Sequence, residues 1–344
     1  MSNVQQGSYQ MRIRSTPTFL TKKVAIAALF IFILTPLSCR RAEAPTLNSA
    51  TVSFQVALLT PGPISDAGWN AAAYDGLQLI KRQLSAEVAT VQTASPADFD
   101  DAFRDFAGRH FDLIFAHGFE YTDAALKAGH DFPLTKFVVT SGSAAAANVA
   151  SMSFKIEEAA YVEGVLAGAM SQSGIAGAIG GIELPAIKLT FDGFRRGFIA
   201  AHPQGRVVTS FTGNFDDVGA AKEAALAQIS QGADFLFHDA DAAGLGVFEA
   251  AGQAHIYAFG ANRNQNSVAP AVVIASAVTS IPDAMLKIAT AVKAGSFHPG
   301  MIEFGMRDGM VHVVINPQLE AKIPPFALDR MKHAQDAIMS GAGI

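Results

Sequence analysis

A doubly wound α/β fold in two lobes is what this chain's pattern predicts, and three observations carry that reading. Strand-like and helix-like runs alternate almost to the end, as successive βα units do around a parallel sheet. Several strand-like runs are continuously apolar, Leu113-Ile114-Phe115-Ala116 and Phe235-Leu236-Phe237 among them, as expected of strands covered on both faces. The strand-like runs number more than ten, more than one twisted sheet carries comfortably.

Taken in order, an apolar run at 52–59 reads as the first strand, followed by a helical pattern at 68–84 through Tyr74, Leu77, Ile80 and Leu84. Strands then read at 87–92, 112–116, 135–139 and 149–154, with helices at 98–109 and 121–129 between them. A helix at 157–172 opens a second series of strands at 175–180, 206–212, 233–238, 255–259 and 271–276. Its helices fall at 186–200, 217–231, 243–251 and 281–294. Short strands at 301–306 and 310–315, a Pro-rich stretch and a helix near 326–339 complete the pattern. The Gly-Ser-Ala stretch at 141–148 breaks it, and a return crossing reads near 260–264. Lobe one is therefore expected at 45–145 plus about 261–298, and lobe two at 146–260 plus about 299–320. Residues 321–344 form a C-terminal helical segment. Lobes joined by several passes of chain make a hinge with a cleft between them.

The chain has 344 residues, half of them hydrophobic and 16% charged, enough for two real cores and far from a disordered composition. Its one Cys excludes a disulfide framework and a multi-Cys metal site. The first 44 residues have the layout of an export signal. Arg12, Arg14, Lys22 and Lys23 precede an apolar stretch, Val24 to Leu34, too short for a comfortable membrane span. Leu37-Ser38-Cys39 then resembles a bacterial lipoprotein box, although Pro36 stands where that pattern prefers Leu. Lipidation of Cys39 would tether the protein without spanning the bilayer; cleavage after Ala42-Glu43-Ala44 is the rival. Cleavage before Cys39 takes away four basic residues and no acidic ones, so the mature chain is more acidic than the formal net charge of −5. Such a chain, without a basic stripe, is not expected to bind nucleic acid.

The loop Gly62-Pro63-Ile64-Ser65-Asp66-Ala67-Gly68-Trp69-Asn70 carries the most chemistry. In an open α/β sheet, ligands bind at the carboxyl ends of strands, beside helix N-termini. Asp66 offers an acceptor there, or a helix cap. The lone Trp69 offers a stacking surface or a core contact, and Asn70 offers both a donor and an acceptor. A flat polar molecule would suit that set.

Several segments in order resemble the basic membrane protein family of bacterial lipoproteins, nucleoside-binding components of ABC importers. Asp66-Ala67-Gly68-Trp69-Asn70 resembles the family's Asp-x-Ser-Phe-Asn signature, with Gly for Ser and Trp for Phe. Gly118-Phe119 before Thr122-Asp123-Ala124, Glu158 to Gly164, Ile179-Gly180-Gly181 with Pro185, and Gly193-Phe194 with Gly197 follow in register. So do Gly213-Asn214-Phe215-Asp216-Asp217, Gln231-Gly232-Ala233-Asp234 and Gly244; the resemblance spans roughly 52–300. It implies the type I periplasmic-binding fold and a purine ring held between Trp69 and Phe215. Asp66, Asn70, Gly118, Tyr121, Asp217 and Gly244 would lie at or near the ligand. Where the family carries Gly-Val-Asp-x-Asp-Gln, whose first Asp accepts the ribose hydroxyls, this chain has Gly260-Ala261-Asn262-Arg263-Asn264-Gln265. The family's ribose-holding Lys falls at Thr279. An amide is a weaker hydroxyl acceptor than a carboxylate, so both base and nucleoside stand as ligands. Asn262→Asp is expected to improve nucleoside affinity.

The resemblance further implies an ABC permease and ATPase as partners, no cofactor, and a monomer held to the membrane only by its lipid. Gly174, Gly177 and Gly180-Gly181 lie within a strand pattern and read as packing and a turn, not a dinucleotide fingerprint. His238, Asp239 and Asp241 form no recognisable metal spacing. No nucleophile–base pair stands out, so an exported nucleoside-processing enzyme is the weakest reading. A sensor that reports ligand to a membrane receptor would use the same cleft.

Overall fold

A computed structural model describes residues 53–65, 68–341 and 343. The signal segment, Cys39 and Asp66 lie outside the described residues.

The chain forms β1 (Gln55–Thr60), α1 (Trp69–Leu84), β2 (Glu87–Gln92), α2 (Pro96–Gly108), β3 (Leu113–His117), α3 (Thr122–Asp131), β4 (Lys136–Thr140) and β5 (Val149–Phe154). It continues through α4 (Ile156–Met170), β6 (Ile175–Gly180), α5 (Pro185–Ala201), β7 (Arg206–Phe211), α6 (Val218–Ser230), β8 (Phe235–Asp239), α7 (Gly244–Ala254) and β9 (Tyr257–Asn262). The remainder is β10 (Val273–Thr279), α8 (Ile281–Lys293), β11 (Met301–Phe304), β12 (Val311–Ile315) and α9 (Pro325–Ser340). Two six-stranded sheets result, ordered β11-β5-β4-β3-β1-β2 and β12-β10-β9-β8-β6-β7. The first is parallel throughout. The second is parallel except for β12, which runs against β10.

Alternation of side chains across each strand explains the continuous apolar runs. Leu113 and Phe115 join Leu77 and Ile80 of α1 and Met285 and Ile288 of α8 on one face of the first sheet. Ile114 and Ala116 join Phe99 and Phe103 of α2 and Ala125 of α3 on the other. In the second sheet Phe235 and Phe237 meet Phe191, Phe194 and Phe198 of α5. Leu236 turns the opposite way, toward Ala221 and Ala225 of α6 and Val247 and Phe248 of α7. α4 and α5 pack backbone to backbone: a Cβ on Gly164 would stand 2.1 Å from Phe194 O, and one on Gly197 only 2.0 Å from Tyr161 O.

The lobe boundaries differ from the sequence expectation. β5 and β11 belong to the first sheet and β10 to the second, while α8 packs on α1 in lobe one. The chain therefore changes lobes at Lys155, at Ser280 and between β11 and β12. The Gly-Ser-Ala stretch at 141–148 is instead a tight connection between neighbouring parallel strands, with Ser141 at φ 58° and Ala146 bridged to Val149. Likewise 260–264 ends β9 and leads to β10 in the same sheet. Composition breaks marked loops within a sheet; the true crossings at Lys155 and Ser280 are single residues with no compositional signature. Among the described residues, no helix is long and apolar enough to cross a membrane.

Glu163 of α4 is fully buried, and neither carboxylate oxygen has a hydrogen-bond partner. Burial raises its pKa well above the ordinary 4.5, so its neutral form is favoured in the fold. A raised folded pKa leaves stability unaffected below the unfolded value and lowers it as pH rises from there toward the folded value, at up to about 1.4 kcal/mol per pH unit. Glu163→Gln should remove that slope, so the variant gains on the wild type between pH 4 and pH 8 in denaturant melts. Parallel curves for the two proteins would refute this.

Candidate functional site

The lobes meet at carboxyl ends of both sheets, where Trp69 and Asp75 of lobe one contact Asp241 and Arg263 of lobe two. α1 begins directly after the β1 loop, and its N-cap residue is Gly68, which has no side chain to offer the exposed amides. Asp241 of lobe two reaches across, and its Oδ1 accepts the Trp69 N–H at 3.0 Å. A carboxylate at a helix N-terminus is favourable twice over, as a cap and against the helix dipole, worth about 0.5–2 kcal/mol. Gly68 makes the approach possible: a Cβ there would lie 1.8 Å from Asp241 Oδ1. A second bridge joins Arg263, just past β9, to Asp75 of α1 at 3.0 Å. Its side chains are 34% and 56% exposed, so it contributes about 0–1 kcal/mol.

In lobe one, His117 at the end of β3 orients Trp69. The rings stack with centroids 4.2 Å apart, and the His117 Nε2–H donates to the Trp69 carbonyl at 3.0 Å. Its Nδ1 then accepts from the Thr140 hydroxyl at 3.0 Å. Trp69 itself stays partly exposed. Asn70 is buried against Gly62 of the same loop, where a Cβ would lie 2.8 Å from Asn70 Nδ2. Gly118 follows β3 and leads to Phe119, which is 50% exposed. Tyr121 is a correction. Its ring is enclosed by Phe99 and Phe103 of α2, and its hydroxyl pairs with Thr93 at 2.7 Å, so it serves the core of lobe one.

In lobe two, Phe215 is partly exposed and its ring covers Gly181; a Cβ on Gly181 would stand 2.3 Å from that ring. The Phe215 carbonyl accepts from Ala243 N, tying this loop to the turn that carries Asp241. Asp217 is exposed and caps α6, its Oδ1 accepting from Ala220 N at 2.9 Å. Gly244 opens α7 beneath the His238 ring, which a Cβ would strike at 2.2 Å. Thr279 donates to the Asn262 carbonyl at 3.1 Å. Asn262 holds φ 65° and Asp241 φ 51°, left-handed conformations that non-glycine residues seldom adopt and that gather at ligand sites.

The residues the sequence reading did not single out for binding are His117, Asp75 and the acids of the β8 end. His238, Asp239 and Asp241 point three ways. His238 donates inward to Gln265 at 2.9 Å, and burial lowers its pKa to about 4, so it stays neutral. Asp241 caps α1. Asp239 is 8% exposed and accepts from Asn262 Nδ2 at 3.0 Å. Burial raises its pKa to about 6, with Asn262 pulling the other way. A carboxylate at 262 would give up that bond and stand against Asp239, which works against the gain expected from Asn262→Asp. The signal in the sequence was position: His117 and the β8 acids end a strand or lie within two residues of an end, whereas Asp75 lies within α1 and carried no such signal.

Exposed apolar side chains also line these strand ends, with Ile64 and Phe119 from lobe one and Ile182 and Leu245 from lobe two. Aromatic and aliphatic surface beside a few fixed polar groups is the make-up of a small-molecule site. Asp241→Ala and Gly68→Ala, one by losing the cap and the other by blocking it, should each favour open lobes. Small-angle scattering should show a larger radius of gyration for both; unchanged profiles would refute the bridging role.

The chain is similar to known proteins over nearly all its described length. It is 28% identical to basic membrane protein A of Borreliella burgdorferi over 275 residues, 77% of this chain and 80% of that protein. It is also 28% identical to a purine-binding protein of Brucella abortus, covering 76% of this chain and 75% of the relative. A solved ABC transporter solute-binding protein from Aeropyrum pernix superposes with a TM-score of 0.76 at 20% identity, over 83% of this chain and 91% of that one. Together with the paired sheets, that likeness identifies the type I periplasmic-binding fold. The model of the Bmp family, described as ABC transporter substrate-binding protein PnrA-like, matches residues 54–337, and the chain belongs to that family of substrate-binding proteins.

Proposed function

We propose that the protein is the substrate-binding lipoprotein of an ABC importer and takes a purine base or purine nucleoside in the cleft between its lobes. The observation that supports this best is the pairing of partly exposed aromatics at the strand ends of opposite lobes. Trp69 is braced by His117 in one, and Phe215 lies over Gly181 in the other. Flat π-faces on both sides of a cleft suit a flat heteroaromatic ring. Binding rather than catalysis is the work of such a site, because a ligand that touches both lobes stabilises their closed arrangement. A permease and ATPase in the membrane would receive the solute.

Trp69 is the only Trp in the chain, so its emission reports the cleft directly. Adenine, hypoxanthine, guanine or their nucleosides should quench it and raise the melting temperature. At a ligand concentration a hundredfold above Kd the stabilisation is about 2.7 kcal/mol. If all six leave both emission and melting temperature unchanged, the purine assignment is wrong.

Export and lipidation at Cys39 complete the proposal. Cells expressing the full chain should carry the protein in the membrane fraction and incorporate labelled palmitate into it. Cys39→Ala should abolish the label and release the protein; labelling of the variant equal to wild type would rule Cys39 out as the anchor.

A further inference from the structure

We propose that Asp239 is the ligand-facing acceptor of lobe two, held in place by Asn262, and that it grips a pair of neighbouring hydrogen-bond donors on the bound solute. This rests on the cleft being the ligand site, as argued above. Asp239 is the last residue of β8, beside the last residue of β6, whose strand it pairs in register. The backbone N–H of Gly181 donates to its carbonyl at 3.0 Å, so Asp239 adjoins the glycine beneath Phe215. Two residues later Asp241 bridges to Trp69, and the residue after Asn262 is Arg263, which bridges to Asp75. Asp239 is thus two residues from one bridge and hydrogen-bonded to the residue before the other.

Its own pairing is incomplete. Asn262 supplies one side-chain hydrogen bond, and among the described residues no cation pairs with this carboxylate. A carboxylate accepts at both oxygens. The charged groups on adjoining elements are committed elsewhere: Arg263 to Asp75 and Asp241 to the α1 amide, with His238 neutral and turned inward. Burial holds the Asp239 carboxyl near 6, so it is mostly ionised at neutral pH and becomes protonated in mild acid. An ionised acceptor makes charge-assisted bonds to O–H or N–H groups, about twice as strong as neutral ones. Two sources carry such donor pairs, the vicinal hydroxyls of a sugar and a ring N–H beside an exocyclic amine.

The test is calorimetric titration of the wild type, Asp239→Asn and Asn262→Ala between pH 5 and pH 8. The panel is adenine, guanine, adenosine, guanosine, free ribose and a non-purine polyol. Wild-type affinity should rise with pH through about 6 as the carboxylate ionises. Asp239→Asn should bind the preferred solute roughly 10- to 100-fold more weakly at pH 7.5, without that rise. Asn262→Ala removes the bond that lowers the carboxyl's pKa, so its affinity midpoint should move to higher pH. That variant keeps the acid and serves if Asp239→Asn does not fold. A loss confined to the nucleosides identifies the hydroxyls as the donors, and an equal loss for bases and nucleosides identifies the ring edge; either supports the proposal. Asp239→Asn within twofold of wild type with the same pH profile would overturn it, as would an unmoved midpoint in Asn262→Ala. If purines fail but a polyol binds and needs Asp239, the purine reading falls and this one stands. If nothing in the panel binds the wild type, both fall.

Discussion

The closed geometry of this molecule turns on one hydrogen bond, from the Trp69 amide to the Asp241 carboxylate of the opposite lobe. A helix must satisfy the amides of its first turn, and α1 begins at a glycine that cannot. The second lobe supplies an acceptor instead. The same contact fixes how close Gly68 comes to Asp241, where Trp69 enters the helix, and how the β8 end faces the β1 loop. Trp69, Asp239 and Asn262 lie within a few residues of that bond or of Arg263, its weaker companion, and Phe215 is tied to the same turn through Ala243.

The division of labour around it follows from burial. On the inner side, a polar network fixes the β9–β10 connection. Gln265 accepts from His238 and Ala261, and Ser276 links Gln265 to Asn266. These groups are buried and satisfied, and they hold the strand ends in register. On the outer side stand groups whose pairing is partial or whose backbone is strained, Asp239, Asp241 and Asn262. A rigid inner layer under a less settled outer one is how a site stays preorganised while leaving capacity for a ligand.

The strands and helices were legible because their signals are local: apolar runs such as Leu236 between Phe235 and Phe237, and helical spacing such as Leu77 and Ile80. The first loop was legible for the same reason, with Trp69 and Asn70 sitting together where a strand gives way to a helix. Lobe membership was not legible. Whether β5 pairs with β4 or leaves the sheet is decided by hydrogen bonds between distant segments, and a one-residue crossing such as Lys155 leaves no trace in composition. Tyr121 was misread because a strand-end position does not say which way a ring turns, and Phe99 and Phe103 offered it an apolar home. Asp239 was weighed only as a metal ligand, because its bond to Asn262 joins two different strands and leaves no local signal.

The three crossings between the lobes are tied to one another. Lys155 N donates to Phe304 O, and Ser280 N donates to Met310 O. Glu158 of α4 accepts from Met306 N at 2.7 Å. Chain segments hydrogen-bonded side by side at their pivots resist independent twisting, so bending is the movement they oppose least. A solute that draws the lobes together would then have less twisting freedom to remove than at an unstitched hinge, which lowers the entropic cost of its capture.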